Sequence, residues 1–207
     1  MIAIVDAGLG NLRSVEKALA HVGADARVTS DPADLARAER VVVPGQGAFG
    51  DCGRALAKEA PLGRAIVAAI ASGKPYLGIC LGLQILFDES EEAPGCRGLG
   101  ILAGRVARIP GGMRDSTGAR LKVPHMGWNA VAPTRAHPLL EIERSFYFVH
   151  SYHALPVEKS AIAAVADYGI PLTAAVAREN VFAVQFHPEK SQRAGLDLLA
   201  AFARWRP

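Results

Sequence analysis

The sequence predicts an α/β protein: a three-layer sandwich with helices on both faces of a mixed, mostly parallel sheet. The first half alternates short, continuously apolar runs with helix-period segments, the pattern of parallel strands buried on both faces and joined by crossover helices. The second half carries more strand-like runs and closes on one amphipathic segment, which adds antiparallel strands to the sheet. The 207 residues, 50% hydrophobic and 21% charged, fit one domain over 1–207 whose core can stand without staples.

Ile2–Val5 is the first strand, followed by a turn through Gly8 and Gly10. Asn11 caps a helix that carries Leu12, Val15, Leu19 and Val22 on one face, and Gly23 stops it. Ala26–Thr29 reads as a strand, and Asp31-Pro32 opens a helix with proline at its first position. Arg40–Val43 is a third strand ending at Pro44, and Pro61–Ala71 a helix closed by Ser72-Gly73. Pro75–Ile79 forms a strand that runs directly into a helix over Leu81–Phe87. Later strands are expected at Arg105–Ile109, Trp128–Val131, Phe146–Val149, Ala161–Ala166, Thr173–Ala177 and Val181–Phe186. The last helix, Ser191–Trp205, turns Leu196, Leu199, Phe202 and Ala203 inward.

Composition excludes several classes of function. The apolar fraction is too high for a solvated coil. No apolar run approaches the ~20 residues that a bilayer requires, and Asp6 interrupts the only N-terminal apolar run. Cys52, Cys80 and Cys96 form no CxxC pair, so a reducing cytoplasm is expected rather than a disulfide framework. The net charge is +3, and the basic stretch Arg105, Arg108, Arg114, Arg120 and Lys122 lacks interleaved aromatics. It reads as a solvated loop or edge strand, and neither nucleic acid nor membrane is an expected partner.

The chemistry concentrates at Gly78-Ile79-Cys80-Leu81-Gly82-Leu83-Gln84. A buried strand meets a helix there with no loop between, so Cys80 sits at the tip of a tight turn flanked by glycines two residues away on either side. This is the sulfur counterpart of the Gly-x-Ser-x-Gly elbow. A helix N-terminus favours thiolate, and the N–H of Leu81 can face an oxyanion formed on an attacked carbonyl. Cys52 and Cys96 have no such frame and read as small core residues.

A base is offered by His187 within Gln185-Phe186-His187-Pro188-Glu189-Lys190-Ser191. Pro188 pushes His187 to extended geometry, where residues two apart share a side and stand roughly 6.5 Å apart. Glu189 can then reach back to the imidazole, fix its tautomer and leave the other nitrogen for the thiol. Neither this pair nor His150 and His153 has companions at metal-ligand spacings, so no metal is expected. The Pro44-Gly45-Gln46-Gly47-Ala48-Phe49-Gly50 turn follows a strand's carboxyl end. It reads either as a second oxyanion donor or as an ordinary strand-ending turn.

The elbow, the His187-Pro188-Glu189 triplet and the Pro44–Gly47 turn together resemble the class I (triad) glutamine amidotransferases. Four further segments, 6–15, 124–129, 146–152 and 185–191, resemble one branch of that family: the glutaminase subunits of imidazole glycerol phosphate synthase, in histidine biosynthesis. The resemblance implies a Cys80, His187, Glu189 triad and an oxyanion hole from Leu81 and the Gln46–Gly47 turn. It implies that Gly47, Gln84 and the backbone of His150, Ser151 and Tyr152 hold glutamine. It places Asn11, Trp128 and Lys190 towards a partner, a (β/α)-barrel cyclase that takes ammonia and makes imidazole glycerol phosphate and aminoimidazole carboxamide ribotide. No cofactor is implied, and 207 residues leave no room for a second barrel of ~250 residues. Two positions depart from the branch: Ala7 where a tyrosine is usual, and Gln46 where valine is usual in the turn. Neither is a triad side chain; Gln46 bears on how the oxyanion hole is regulated. Other clients of the same triad, anthranilate synthase or pyridoxal phosphate synthase, and a non-catalytic scaffold of the same fold, are the alternatives.

Overall fold

The computed structural model describes residues 1–207 and is built on a nine-stranded sheet. Strands β1 (Ile2–Val5), β2 (Ala26–Thr29), β3 (Arg40–Gly45) and β4 (Tyr76–Cys80) pair in parallel, in the order β2-β1-β3-β4. Helices α1 (Leu12–His21), α2 (Pro32–Arg37), α3 (Phe49–Ala55) and α4 (Pro61–Ala71) connect them, and the one-turn α5 (Leu81–Gln84) follows β4 directly. The second half contributes β5 (Glu89–Ser90), β6 (Gly104–Arg108), β7 (His125–Pro133), β8 (Arg144–His150) and β9 (Tyr152–Pro156). It continues with β10 (Ile162–Asp167), β11 (Pro171–Arg178), β12 (Val181–Val184) and α6 (Gln192–Arg204). β12 joins the parallel half beside β4, while β11, β10, β7 and β8 extend the sheet by antiparallel pairing. A separate three-stranded sheet has the order β5-β6-β9.

The strands divide their side chains between two cores with the two-residue alternation of a pleat. Ile2, Ile4, Val42, Leu77, Ile79, Phe182 and Val184 pack on one face against α1 and α6, including Val15, Leu19, Leu199 and Phe202. Ala3, Val5, Val41, Val43, Tyr76 and Ala183 face the other way, against Leu35, Phe49, Ile66 and Ile70. Because both faces are covered, these strands are apolar almost throughout; the exception is the buried Arg40 at the start of β3, whose guanidinium donates to the Phe202 and Trp205 carbonyls. No helix is long and apolar enough to cross a membrane.

The expected sandwich is present, with local corrections. Helix α5 stops at Gln84 rather than Phe87: the Leu86 and Phe87 N–H groups bond only three residues back, to Leu83 and Gln84, and the Ile85 and Leu86 carbonyls accept from Leu99 and Ile101. Continuous burial of Leu81–Phe87 resembles a helix in sequence, but its later part packs a loop. Helix α3 was not expected, since its Gly50 and Gly53 weaken the pattern. The small sheet adds β5 and β9, both short. In α6, Leu198 is buried and Leu196 is only half-buried. The β12 strand ends at Val184, two residues before Phe186.

The registry positions the chemistry. Gly45 stands opposite Cys80 across β3 and β4, and Val184 stands opposite Ile79 across β12 and β4. The carboxyl ends of three adjacent parallel strands therefore meet at one point, where open α/β sheets build their sites.

Candidate active site

Cys80 is the last residue of β4 and the residue before α5, with φ 56° and ψ −105°. A side chain in such a region costs about 1–3 kcal/mol, and it persists only where its surroundings over-determine it. Here close approach does so. A Cβ on Gly82 would lie 1.8 Å from the Val43 carbonyl oxygen, and one on Gly78 would lie 2.3 Å from the Gly82 carbonyl oxygen. Only bare backbone lets the turn press against both strands. The Tyr76 hydroxyl then donates to the Gly82 carbonyl at 2.7 Å and secures the bend. The sequence expectation of a sharp elbow is matched by this geometry.

His187 is extended, at φ −106° and ψ 96°, as Pro188 requires. Its N–H donates to the Tyr147 carbonyl at 2.9 Å, and its carbonyl accepts the Ser191 hydroxyl at 2.6 Å. Ser191 Oγ in turn accepts the Tyr147 N–H at 3.0 Å, so the segment is laced to β8. Glu189 lies not in an extended run, as the spacing suggested, but in a 3-10 turn over Pro188–Lys190. The turn still brings Glu189 Oε1 within 2.8 Å of His187 Nδ1, with both side chains almost fully buried. The proline that sets His187 extended also begins a turn at once, so the contact is made by a tighter route.

Burial by itself would depress the His187 pKa; the Cys80 thiol and the Glu189 carboxylate outweigh it and carry the group up to about 9. Neutral solution therefore favours the imidazolium. His187 Nε2 and Glu189 Oε2 are buried without hydrogen-bond partners, an expensive arrangement that marks functional sites. The thiol influences the imidazole, but no Cys80–His187 hydrogen bond of good geometry is formed. Cys52 contrasts with Cys80: burial pushes its thiol up to about 12, and it packs in the core as expected. Cys96 is half-buried, with its sulfur 3.7 Å from the Gly50 carbonyl.

Cys80 and His187 line one cavity of about 440 Å³. Gln46, Gly47, Leu81, Gln84, His150, Ser151, Tyr152 and Lys190 line it too. Gly47 takes a left-handed φ of 108°, and β3 brings the turn against α5, since a Cβ on Gly45 would stand 2.5 Å from that of Leu81. The Gln46–Gly47 turn and Leu81 are thus neighbours at the nucleophile. Two sequence-expected residues lie elsewhere. Asn11 caps α1, accepting the Ser14 N–H at 3.4 Å, and Trp128 is 49% exposed on β7.

Two residues at this site were given no role from sequence. Glu92 lines the cavity and accepts the Phe49 N–H at 2.7 Å. It follows β5 in a run with Glu89 and Glu91, and only the fold turns it towards the cavity. Gln185 is fully buried, with its Nε2 3.5 Å from Cys80 Sγ. Its place two residues before His187 was the only sequence signal.

Comparison with known proteins agrees with this geometry. The family model "Glutamine amidotransferase class-I" matches residues 3–204. Curated relatives called "Imidazole glycerol phosphate synthase subunit HisH" include that of Aromatoleum aromaticum, 53% identical across 100% of this chain and 99% of its own. That of Methanothermobacter thermautotrophicus is 50% identical across 98% of this chain and 97% of its own. Among solved structures, a glutamine amidotransferase superposes with a TM-score of 0.73 at 21% identity, covering 97% of this chain and 99% of that one. PurLQS from Thermotoga maritima gives 0.70 at 21%, covering 97% and 94%. The solved structures share the fold, and the family match with identity above one half over full length goes further: the chain belongs to the class I glutamine amidotransferases.

Proposed function

We propose that this chain is the glutaminase subunit of imidazole glycerol phosphate synthase, one domain over 1–207 that hydrolyses glutamine and hands ammonia to a (β/α)-barrel cyclase. The observation that carries the reading is the meeting, in one cavity, of an elbow cysteine with an imidazole backed by a buried carboxylate. The relatives named above, which are subunits of that synthase, support the choice of client.

In this mechanism the Cys80 sulfur attacks the carboxamide carbon of glutamine. The oxyanion is held by the Leu81 N–H and by an N–H of the Gln46–Gly47 turn, a donor whose loss costs roughly 3–4 kcal/mol in comparable sites. His187 gives its proton to departing ammonia, leaving a γ-glutamyl thioester. The neutral imidazole then takes a proton from water, which attacks the thioester and releases glutamate. Glu189 holds Nδ1 throughout. Gly47, Gln84 and the backbone of His150, Ser151 and Tyr152 hold the substrate, and Glu92 supplies the negative charge that an α-ammonium seeks. Asn11, Trp128 and Lys190 lie towards the cyclase; exposed Met126 and Trp128 share β7.

Glu92→Gln is expected to raise KM for glutamine about tenfold with a smaller change in kcat, as loss of a charged contact to bound substrate does. Steady-state kinetics check this; an unchanged KM would remove Glu92 from the subsite. The reading as a whole is tested by measuring glutamate release from the purified chain, alone and with the cyclase subunit and its ribonucleotide ligand. Hydrolysis that rises on adding that pair supports it. Acceleration only by a different synthase would overturn the choice of client.

A further inference from the structure

An unbroken run of hydrogen bonds leads from β7 to the Cys80 sulfur. Asn129 Nδ2 lies 3.2 Å from His125 Nε2 and 2.8 Å from the Asp167 carbonyl. His125 Nδ1 is 2.9 Å from His150 Nε2, and His150 Nδ1 is 2.9 Å from the Tyr152 carbonyl oxygen. Gln84 Nε2 approaches the same carbonyl at 3.1 Å and Gln185 Oε1 at 3.0 Å. Gln185 Nε2 completes the run, 3.5 Å from Cys80 Sγ. His125, His150, Gln84 and Gln185 are all buried.

One atom sets every direction in this run, because a backbone carbonyl can only accept. His150 must donate from Nδ1. In the neutral ring its Nε2 then accepts, which demands a proton on His125 Nδ1 and leaves His125 Nε2 to accept from the Asn129 amide. On the other side, Gln84 must turn its NH2 group to Tyr152. Its second N–H meets Gln185 Oε1, so the NH2 of Gln185 faces the sulfur. Amide orientation and histidine tautomer follow from the network together. Both rings must stay neutral for this, and burial keeps them so, lowering His150 to about 3 and His125 to about 4.

We propose that the Tyr152 carbonyl, acting through Gln84, orients the Gln185 amide to donate to the Cys80 sulfur, making Gln185 a catalytic residue that favours the thiolate and Gln84 a residue that positions it. The amide offers the sulfur a donor and no acceptor, so the proton of the thiol is left to His187. The proposal rests on Cys80 as the nucleophile of the proposed glutaminase. Its signature is thiol reactivity, which is measurable without glutamine or cyclase.

The test is alkylation of the full chain by iodoacetamide at pH 7, resolved by peptide mass spectrometry so that Cys52 and Cys96 are scored separately. Gln185→Met keeps the length of the side chain without its donor and is expected to slow Cys80 modification about tenfold. Unchanged Cys80 reactivity in Gln185→Met would overturn the proposal. Thermal melting confirms that each variant folds. If Gln185→Met does not, Gln185→Glu decides: it keeps the shape and replaces the donor with a carboxylate oxygen, so slowed Cys80 modification supports the proposal and unchanged modification refutes it. The expected alkylation pattern in a chain inactive towards glutamine with its cyclase would support the run and count against the glutaminase reading alone.

Discussion

Cys80→Ala is expected to abolish glutamine hydrolysis, by at least about 10⁴-fold, while the fold and binding to the proposed cyclase persist. A nucleophile lost from a covalent mechanism leaves only the contribution of the oxyanion donors and of substrate binding. Stability survives because the elbow is held by groups other than the thiol: bare backbone at Gly78 and Gly82, and the Tyr76 hydroxyl on the Gly82 carbonyl. Alanine keeps the unfavourable φ of 56°, so its melting temperature should stay near that of the parent. Cys80→Gly tolerates that backbone and should exceed Cys80→Ala in stability by roughly 1 kcal/mol, with the same loss of activity. Glutamate release and thermal melting on the three proteins check both statements. Removal of the thiol should also let His187 titrate lower, since the Cys80 sulfur is one of the two groups that raise it.

Glu189→Gln is the second large effect. It keeps the shape of the side chain but removes the charge 2.8 Å from His187 Nδ1. A neutral partner can stabilise the wrong tautomer, and the corresponding change in hydrolytic triads costs roughly 10⁴-fold in kcat. The pH dependence should move as well. With its pKa raised to about 9, His187 remains imidazolium through neutrality, and activity falls as pH rises through that value. In Glu189→Gln the alkaline limb shifts to lower pH, because one cause of the rise is gone. The stability linkage has the same sign. A histidine raised from 6.5 in the unfolded chain to about 9 stabilises the folded state fully below 6.5, and that contribution is lost as pH rises through about 9. Denaturation at pH 6 and pH 10 should therefore show a smaller difference for Glu189→Gln than for the parent. An identical difference would mean that the pair makes no charged contact.

The parts of this architecture that were legible in sequence are those in which local pattern and global fold agree. The strands Ile2–Val5 and Ala26–Thr29 and the helix Pro61–Ala71 occupy their expected positions: the first is a continuous apolar run, the second is bounded by Gly23 and Asp31-Pro32, and the helix opens at Pro61 and closes at Ser72-Gly73. The Cys80 elbow was legible because its two glycines can only be explained by the contacts they permit. Helix α3 was hidden by its glycines, and α5 was overextended because a buried loop is as apolar as a buried helix. His187 and Glu189 meet by a different local geometry from the one expected: His187 is extended at the N-cap of a 3-10 turn, and Glu189 folds back to it from within that turn. Glu92 and Gln185 were given no role for a different reason. Both make their contacts across long stretches of chain, with Phe49 and Cys80 respectively, which no local pattern encodes.

The central claim is that Cys80 is a nucleophile shaped to receive glutamine. The most direct measurement is exposure of the chain, with its cyclase present, to an electrophilic glutamine analogue, followed by peptide mass spectrometry. A single adduct on Cys80, suppressed by excess glutamine, is the expected result. Modification of Cys52 or Cys96 instead, or a Cys80 that stays unmodified in the complex, would contradict the account.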